Sequence, residues 1–112
     1  MQHITRDEVK KLVDNHENAV IVEALPEKEF NKGHIPGAVA MPVEKIDELA
    51  PQLLKDKDQK IITYCANTKC PASTQAAEQL ENLGYTDVSD YKEGKEDWKQ
   101  AGYPLEGEMS PP

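Results

Sequence analysis

Ile61-Ile62-Thr63-Tyr64-Cys65-Ala66-Asn67-Thr68-Lys69-Cys70-Pro71-Ala72-Ser73-Thr74, residues 61–74, decides how the chain folds. Its first four residues are apolar or β-branched, as in a buried strand, and they run without a break into Cys65. Beyond the loop, Ala76, Ala77, Leu80 and Leu83 fall at helical spacing, and Gly84 supplies a helix stop. A strand, a loop and a helix in that order make one βα unit. Toward the N-terminus, Ala19-Val20-Ile21-Val22 is a second continuous apolar run, which suits a strand covered on both faces. Before it, Thr5 and Glu8 have the spacing of a capping box and Ile4 and Val9 that of a hydrophobic staple. These predict a helix from 6 to about 15 with Val9, Leu12 and Val13 on its inner face.

The rest of the chain continues the alternation. Pro26 opens an acidic stretch of one or two helical turns, the loop Gly33-His34-Ile35-Pro36-Gly37 follows, and residues 38–41 predict a short strand. Val43, Ile46, Leu49 and Ala50 have helical spacing, with Pro51 expected to stop or kink that helix before Leu53 and Leu54. Residues 55–60 form a surface turn. A third main strand over 86–91 leads to a Gly94-Lys95 turn and a short helix around Trp98 that ends at Gly102. This order predicts an α/β fold: an open, mostly parallel central sheet with right-handed crossovers and helices on both faces. One domain over 1–106 is expected, with a flexible tail at 107–112.

Composition narrows the possible functions. A chain of 112 residues with 38 % hydrophobic and 30 % charged residues supports one core. Its net charge of −8 repels phosphate backbones and anionic lipid, so no nucleic-acid partner is expected. No apolar run approaches the roughly 20 residues that cross a bilayer, and the opening MQHITRDEVKK lacks signal-peptide features. No membrane partner and a cytoplasmic location are therefore expected. Two cysteines are too few for a secreted disulfide framework, which shifts them toward reactive or metal-binding roles.

In a parallel sheet, ligand sites lie at the carboxyl ends of the strands, and Cys65 stands at such an end. Its thiol is expected at the mouth of a loop in which the backbone of Ala66, Asn67, Thr68, Lys69, Cys70, Pro71, Ala72 and Ser73, with the following helix N-terminus, cradles an anion. That cradle, with the charge of Lys69, would lower the thiol pKa from its usual value of about 8.5 and populate the nucleophilic thiolate. The plain alternative is an inert buried thiol. Cys70 is either a resolving thiol for Cys65 or a small side chain packed under the loop. No metal is expected, because zinc would need two further ligands and His3, His16 and His34 have no paired spacing.

Gly33-His34-Ile35-Pro36-Gly37-Ala38, the strand running into Cys65, the Ala76-Ala77 pair, and Gly94…Trp98…Ala101-Gly102-Tyr103-Pro104 together resemble a single-domain rhodanese, from Ile4 to about Leu105. The resemblance implies a sulfurtransferase that uses no cofactor. Cys65 would take a sulfane sulfur from thiosulfate or a persulfide or polysulfide, a protein persulfide included, and pass it to a thiol or cyanide in a ping-pong cycle. Two alternatives stand beside it: a non-catalytic binding or regulatory module, and a thiol redox element made of Cys65 and Cys70.

The chain also departs from the family pattern. Its loop lacks the usual glycine and arginine and is about two residues longer. Longer loops occur in phosphatase relatives, but those grip an oxyanion with arginine, a role Lys69 does not fill. Where the family often has an acidic residue and then arginine, this chain has Glu23-Ala24-Leu25, so an ion pair is expected to be missing. The remaining singled-out residues have structural readings. His34 anchors a turn, Trp98 staples the last helix, and Ser73 or Thr74 caps the helix after the loop. Glu27, Glu29, Glu93, Glu96 and Asp97 form a solvated acidic surface.

Overall fold

The computed structural model describes residues 1–15 and 18–107. Its elements are β1 (Gln2–His3), α1 (Arg6–Asp14), β2 (Ala19–Glu23), α2 (Glu27–Lys32), β3 (Val39–Ala40), α3 (Ile46–Leu53), β4 (Lys60–Tyr64), α4 (Ala72–Asn82), β5 (Asp87–Tyr91) and α5 (Gly94–Gln100). A single 3-10 turn, Val43–Lys45, precedes α3. The five strands form one sheet in the order β1-β5-β4-β2-β3, and every pairing is parallel. Register runs from Ala19↔Lys60 to Glu23↔Tyr64 and from Lys60↔Asp87 to Tyr64↔Tyr91. Glu23, Tyr64 and Tyr91 therefore end side by side, and the loops that leave them share one rim.

The continuous apolar runs of β2 and β4 follow from burial on two sides. Val22, Ile61 and Val88 pack with Ile46, Ala50, Ala77 and Leu80 of α3 and α4. Ile21, Ile62 and Tyr64 face the other way, against Val9 of α1 and Trp98 of α5. Each such side chain contributes about 1.5–3 kcal/mol on leaving water. Both halves of the expected capping box form at α1: Thr5 Oγ1 accepts from the Glu8 N–H, and Glu8 Oε1 accepts from the Thr5 N–H. Ile4 and Val9 meet in the same cluster.

Three features differ from the sequence expectation. β1 is an unforeseen strand, because two exposed residues carry no periodicity. α3 does not stop at Pro51 but runs on to Leu53. Burial of Ile46, Ala50 and Leu54 at successive turns, with the Leu54 N–H donating to Ala50 O at 2.8 Å, carries the backbone past the proline. α5 begins at Gly94 itself, where a turn was expected. Glu106 is tied to His34 by two backbone hydrogen bonds of 2.8 Å, and Gly107 lies against Asn31. The rest of the expected tail, 108–112, lies outside the described residues. No described helix is long and apolar enough to cross a membrane.

Ile62, fully buried at the centre of β4, tests this packing. Ile62→Ala is expected to lower unfolding stability by about 2–5 kcal/mol in a urea titration. A change within error would mean that this face of the sheet is not close-packed.

Candidate functional site at the carboxyl rim of the sheet

Cys65 is the first residue beyond β4, and it is 0 % exposed. Its sulfur is joined to that of Cys70 in a disulfide, with Cα atoms 6.5 Å apart. The expectation of an open thiol at the loop mouth is thereby corrected: Cys65 lies inside, and Cys70, partly exposed, occupies the outer position. The expected amide cradle is also reduced. The Lys69 N–H donates to Asn67 Oδ1 at 3.0 Å, and the Cys70 N–H donates to Asn67 O at 3.1 Å. Pro71 has no N–H to offer. Asn67 thus folds the loop back on itself through its side chain and its carbonyl, which is the local chemistry that suits asparagine to turns.

The start of α4 remains available. Pro71 is its N-cap residue, and no side chain caps the helix, so Ser73 and Thr74 are not caps as expected. Both belong to the first turn, one step too far along. Thr74 Oγ1 instead donates to Asp90 Oδ2 at 2.7 Å, and Ser73 is buried with its Oγ unpartnered. Thr63 Oγ1 donates to Ser73 O at 3.0 Å and pins this turn to β4. The positive end of the helix dipole therefore lies uncapped beside the cysteine loop.

α5 fixes the other side of the loop. The Lys95 N–H donates to Cys65 O at 2.8 Å, and the Glu96 N–H donates to Ala66 O at 2.9 Å. Gly94 makes this approach possible: it sits at φ +72°, and a Cβ there would lie 2.5 Å from Cys65 O. Asn67 Nδ2 donates to Glu96 Oε2 at 3.3 Å.

The ion pair expected to be missing is present in another form. Glu23, at the end of β2 and fully buried, lies 3.0 Å through Oε1 from Lys95 Nζ and accepts from the Tyr64 hydroxyl at 2.7 Å. Lys95 Nζ also donates to Glu29 O at 3.2 Å, and the Ile35 N–H donates to Tyr64 Oη at 3.0 Å. Burial pushes the Glu23 carboxyl above the usual carboxylate range, against the opposite pull of Tyr64 and Lys95. Burial, reinforced by the Glu23 charge, pushes the Tyr64 phenol up as well. Lys95 is the residue that sequence reading missed: its backbone holds Cys65 and its side chain holds Glu23. The signal for it was indirect, an acidic strand end without its nearby arginine.

The other singled-out residues are placed as follows. Lys69 is exposed. His34 donates through Nδ1 to Phe30 O at 2.9 Å and stacks on the Phe30 ring at 3.8 Å, which makes it a turn anchor. Trp98 is buried and donates to Pro104 O at 2.8 Å. A cleft of about 500 Å³ opens beside the loop between Leu25, Ala66, Asn67, Lys95 and Lys99. Among the described residues, no group of three or more His, Cys, Asp or Glu side chains is placed to hold a metal ion.

The sequence model of the rhodanese-like domain matches residues 5–101. The chain belongs to the rhodanese-like domain family. Its structure superposes on the rhodanese-like domain of the Anabaena protein Alr3790 with a TM-score of 0.86 at 30 % identity, covering 97 % of this chain and 81 % of that one. It also superposes on a thiosulfate sulfurtransferase from Pseudomonas aeruginosa with a TM-score of 0.79 at 26 % identity, covering 98 % of this chain and 21 % of that one. A Mycobacterium tuberculosis HTH-type transcriptional regulator, Rv0324, is 29 % identical over 92 % of this chain, which spans 44 % of the regulator's length. This chain thus spans less than half the length of the regulator and about a fifth of that of the sulfurtransferase.

Two substitutions test how this rhodanese-like domain holds its loop. Gly94→Ala is expected to destabilise the fold by about 1–3 kcal/mol from its backbone conformation alone, and by more from the contact with Cys65 O. A thermal melt unchanged from wild type would show that the loop and α5 are not in close contact. Lys95→Met leaves the Glu23 carboxylate buried without its cation, at an expected cost of about 3–5 kcal/mol at neutral pH. Because the folded state already favours the protonated carboxyl, that cost shrinks as pH falls through the raised pKa toward the ordinary value of 4.5. Denaturant titrations from pH 8 to pH 4 would measure it, and a loss independent of pH would contradict the pairing.

Proposed function

We propose that this rhodanese-like domain is a sulfurtransferase that carries sulfane sulfur on Cys65 once the bond to Cys70 is reduced. The observation that carries this reading is the position of Cys65. It lies at the carboxyl end of the central strand β4, between the uncapped start of α4 and the Lys95 amide of α5, which donates to its carbonyl. A persulfide is an anion at its terminal sulfur, and helix-start N–H groups in a water-poor site stabilise such a charge. Reduced Cys65 would attack the sulfane sulfur of a donor and release the donor's remaining part. The persulfide then passes its outer sulfur to a thiol or cyanide.

The surroundings favour one donor class. Glu96 bonds Asn67 of the loop, Glu29 lines the same cleft, and no arginine stands in the loop. A thiosulfate dianion meets a rim of mixed charge, Glu29 and Glu96 beside Lys95 and Lys99, without the bidentate grip that arginine provides. A persulfide of a small thiol carries less charge and suits the rim better.

The assay is sulfur transfer to cyanide, read as thiocyanate, after pre-reduction of the protein. Wild type is expected to turn over, at a rate roughly tenfold or more higher with cysteine persulfide than with thiosulfate. Cys65→Ala is expected to fall to background. Activity retained in Cys65→Ala, or none in pre-reduced wild type with either donor, would overturn the reading.

A further inference from the structure

We propose that Cys70 is a resolving thiol that discharges the Cys65 persulfide as hydrosulfide, giving the domain a persulfide-reductase activity beside sulfur transfer. The proposal rests on the Cys65 persulfide reading and adds a second fate for the same sulfur. It stands on three observations. The Cys65 and Cys70 sulfurs meet in a bond across one tight loop, so each lies within attacking reach of the other. The loop is held in the shape that brings them together: Asn67 accepts the amides of Lys69 and Cys70 on one side, and Lys95 and Glu96 hold the Cys65 and Ala66 carbonyls on the other. The two sulfurs also differ in access, Cys65 being fully buried and Cys70 partly exposed.

The chemistry balances in three steps. Cys65 thiolate attacks the outer sulfur of a thiol persulfide RS–SH; a Cys65–S–SH bond forms, the donor S–S bond breaks, and RS⁻ leaves. Cys70 thiolate then attacks the inner sulfur of that persulfide, the atom it touches in the structure. The Cys65–Cys70 bond forms, the bond to the terminal sulfur breaks, and HS⁻ departs with the electron pair. The two protein thiols have been oxidised and the sulfane sulfur reduced. Thiol–disulfide exchange of this kind is fast when the attacking thiolate is held close to its target. Finally, a small dithiol attacks Cys70, the more accessible sulfur, and Cys65 leaves as thiolate; the second thiol of the reductant then frees Cys70. Exposure at Cys70 therefore returns the buried cysteine in its reactive form.

This arrangement makes outcome depend on competition. An acceptor already in the cleft beside Ala66 and Asn67 takes the outer sulfur before Cys70 acts, and without one the sulfur leaves as hydrosulfide and the loop closes. Closure leaves Cys65 without a free thiol until a dithiol arrives.

The test uses the full chain, reduced, freed of reductant and kept anaerobic, so that the sulfane sulfur is the only oxidant. One equivalent of cysteine persulfide is added without any acceptor, and the reaction is quenched with an alkylating agent. Hydrosulfide above that of donor alone is measured together with the mass of the peptides containing Cys65 and Cys70. Wild type is expected to release one hydrosulfide per chain and to yield a peptide in which Cys65 and Cys70 are joined. Cys70→Ser and Cys70→Ala are expected to keep the added sulfur atom on Cys65 and to release hydrosulfide at least tenfold more slowly. A wild-type persulfide as long-lived as that of the two variants would overturn the resolving role while leaving Cys65 as a sulfur carrier. Absence of any added sulfur, hydrosulfide or joined peptide in all three proteins would remove both readings. The joined peptide in wild type is read without any substitution, so the result does not depend on how the variants fold.

Discussion

The contact between the Cys65 carbonyl and the amide at the start of α5 is the constraint on which the site depends. It requires a residue without a side chain at Gly94, because a Cβ there would press on Cys65 O. It fixes the loop at its origin, so that the chain must return to α4 within a few residues. It also brings Lys95 over the end of β2, where its ammonium neutralises Glu23 in the interior. A single short helix thereby joins the cysteine loop, the strand rim and a buried charge. Loss of the contact would loosen all three together, since each is held by groups on the same few residues.

Burial sets the chemistry available to that rim. A carboxylate inside a protein is tolerated only with partners, and Glu23 has both Tyr64 and Lys95. The same enclosure removes water from around Cys65, so the uncapped start of α4 beside the loop would act with little screening on any charge its sulfur carried. In the closed loop that sulfur is bound to Cys70 and carries none. Reduction of that one bond would free both sulfurs.

Much of the fold was legible in the sequence because the decisive signals are local. The runs 19–22 and 61–64 are apolar throughout, as strands with two covered faces require, and Thr5 with Glu8 declares where α1 begins. What escaped was set by distant packing. β1 is too short to carry a pattern, and α3 passes Pro51 because its apolar positions are buried on either side of it. At the site, Cys65 was identified by its place after a strand, but its enclosure was not, because burial depends on what covers the loop from elsewhere. Lys95 was invisible for the same reason: it lies seventy-two positions from Glu23 in the chain, and no spacing rule links them. Ser73 and Thr74 were misplaced because Pro71 moves the helix boundary back.

The claim at the centre of this account is that the uncapped start of α4 favours the anionic form of the reduced Cys65 sulfur. The direct measurement is the rate of alkylation of Cys65 against pH in the Cys70→Ser chain, where it is the one remaining thiol. The account predicts a midpoint below about 8.5, the value of an ordinary cysteine. A midpoint at or above that value would mean that burial outweighs the surrounding dipoles, and the site would have no basis for holding a negatively charged sulfur.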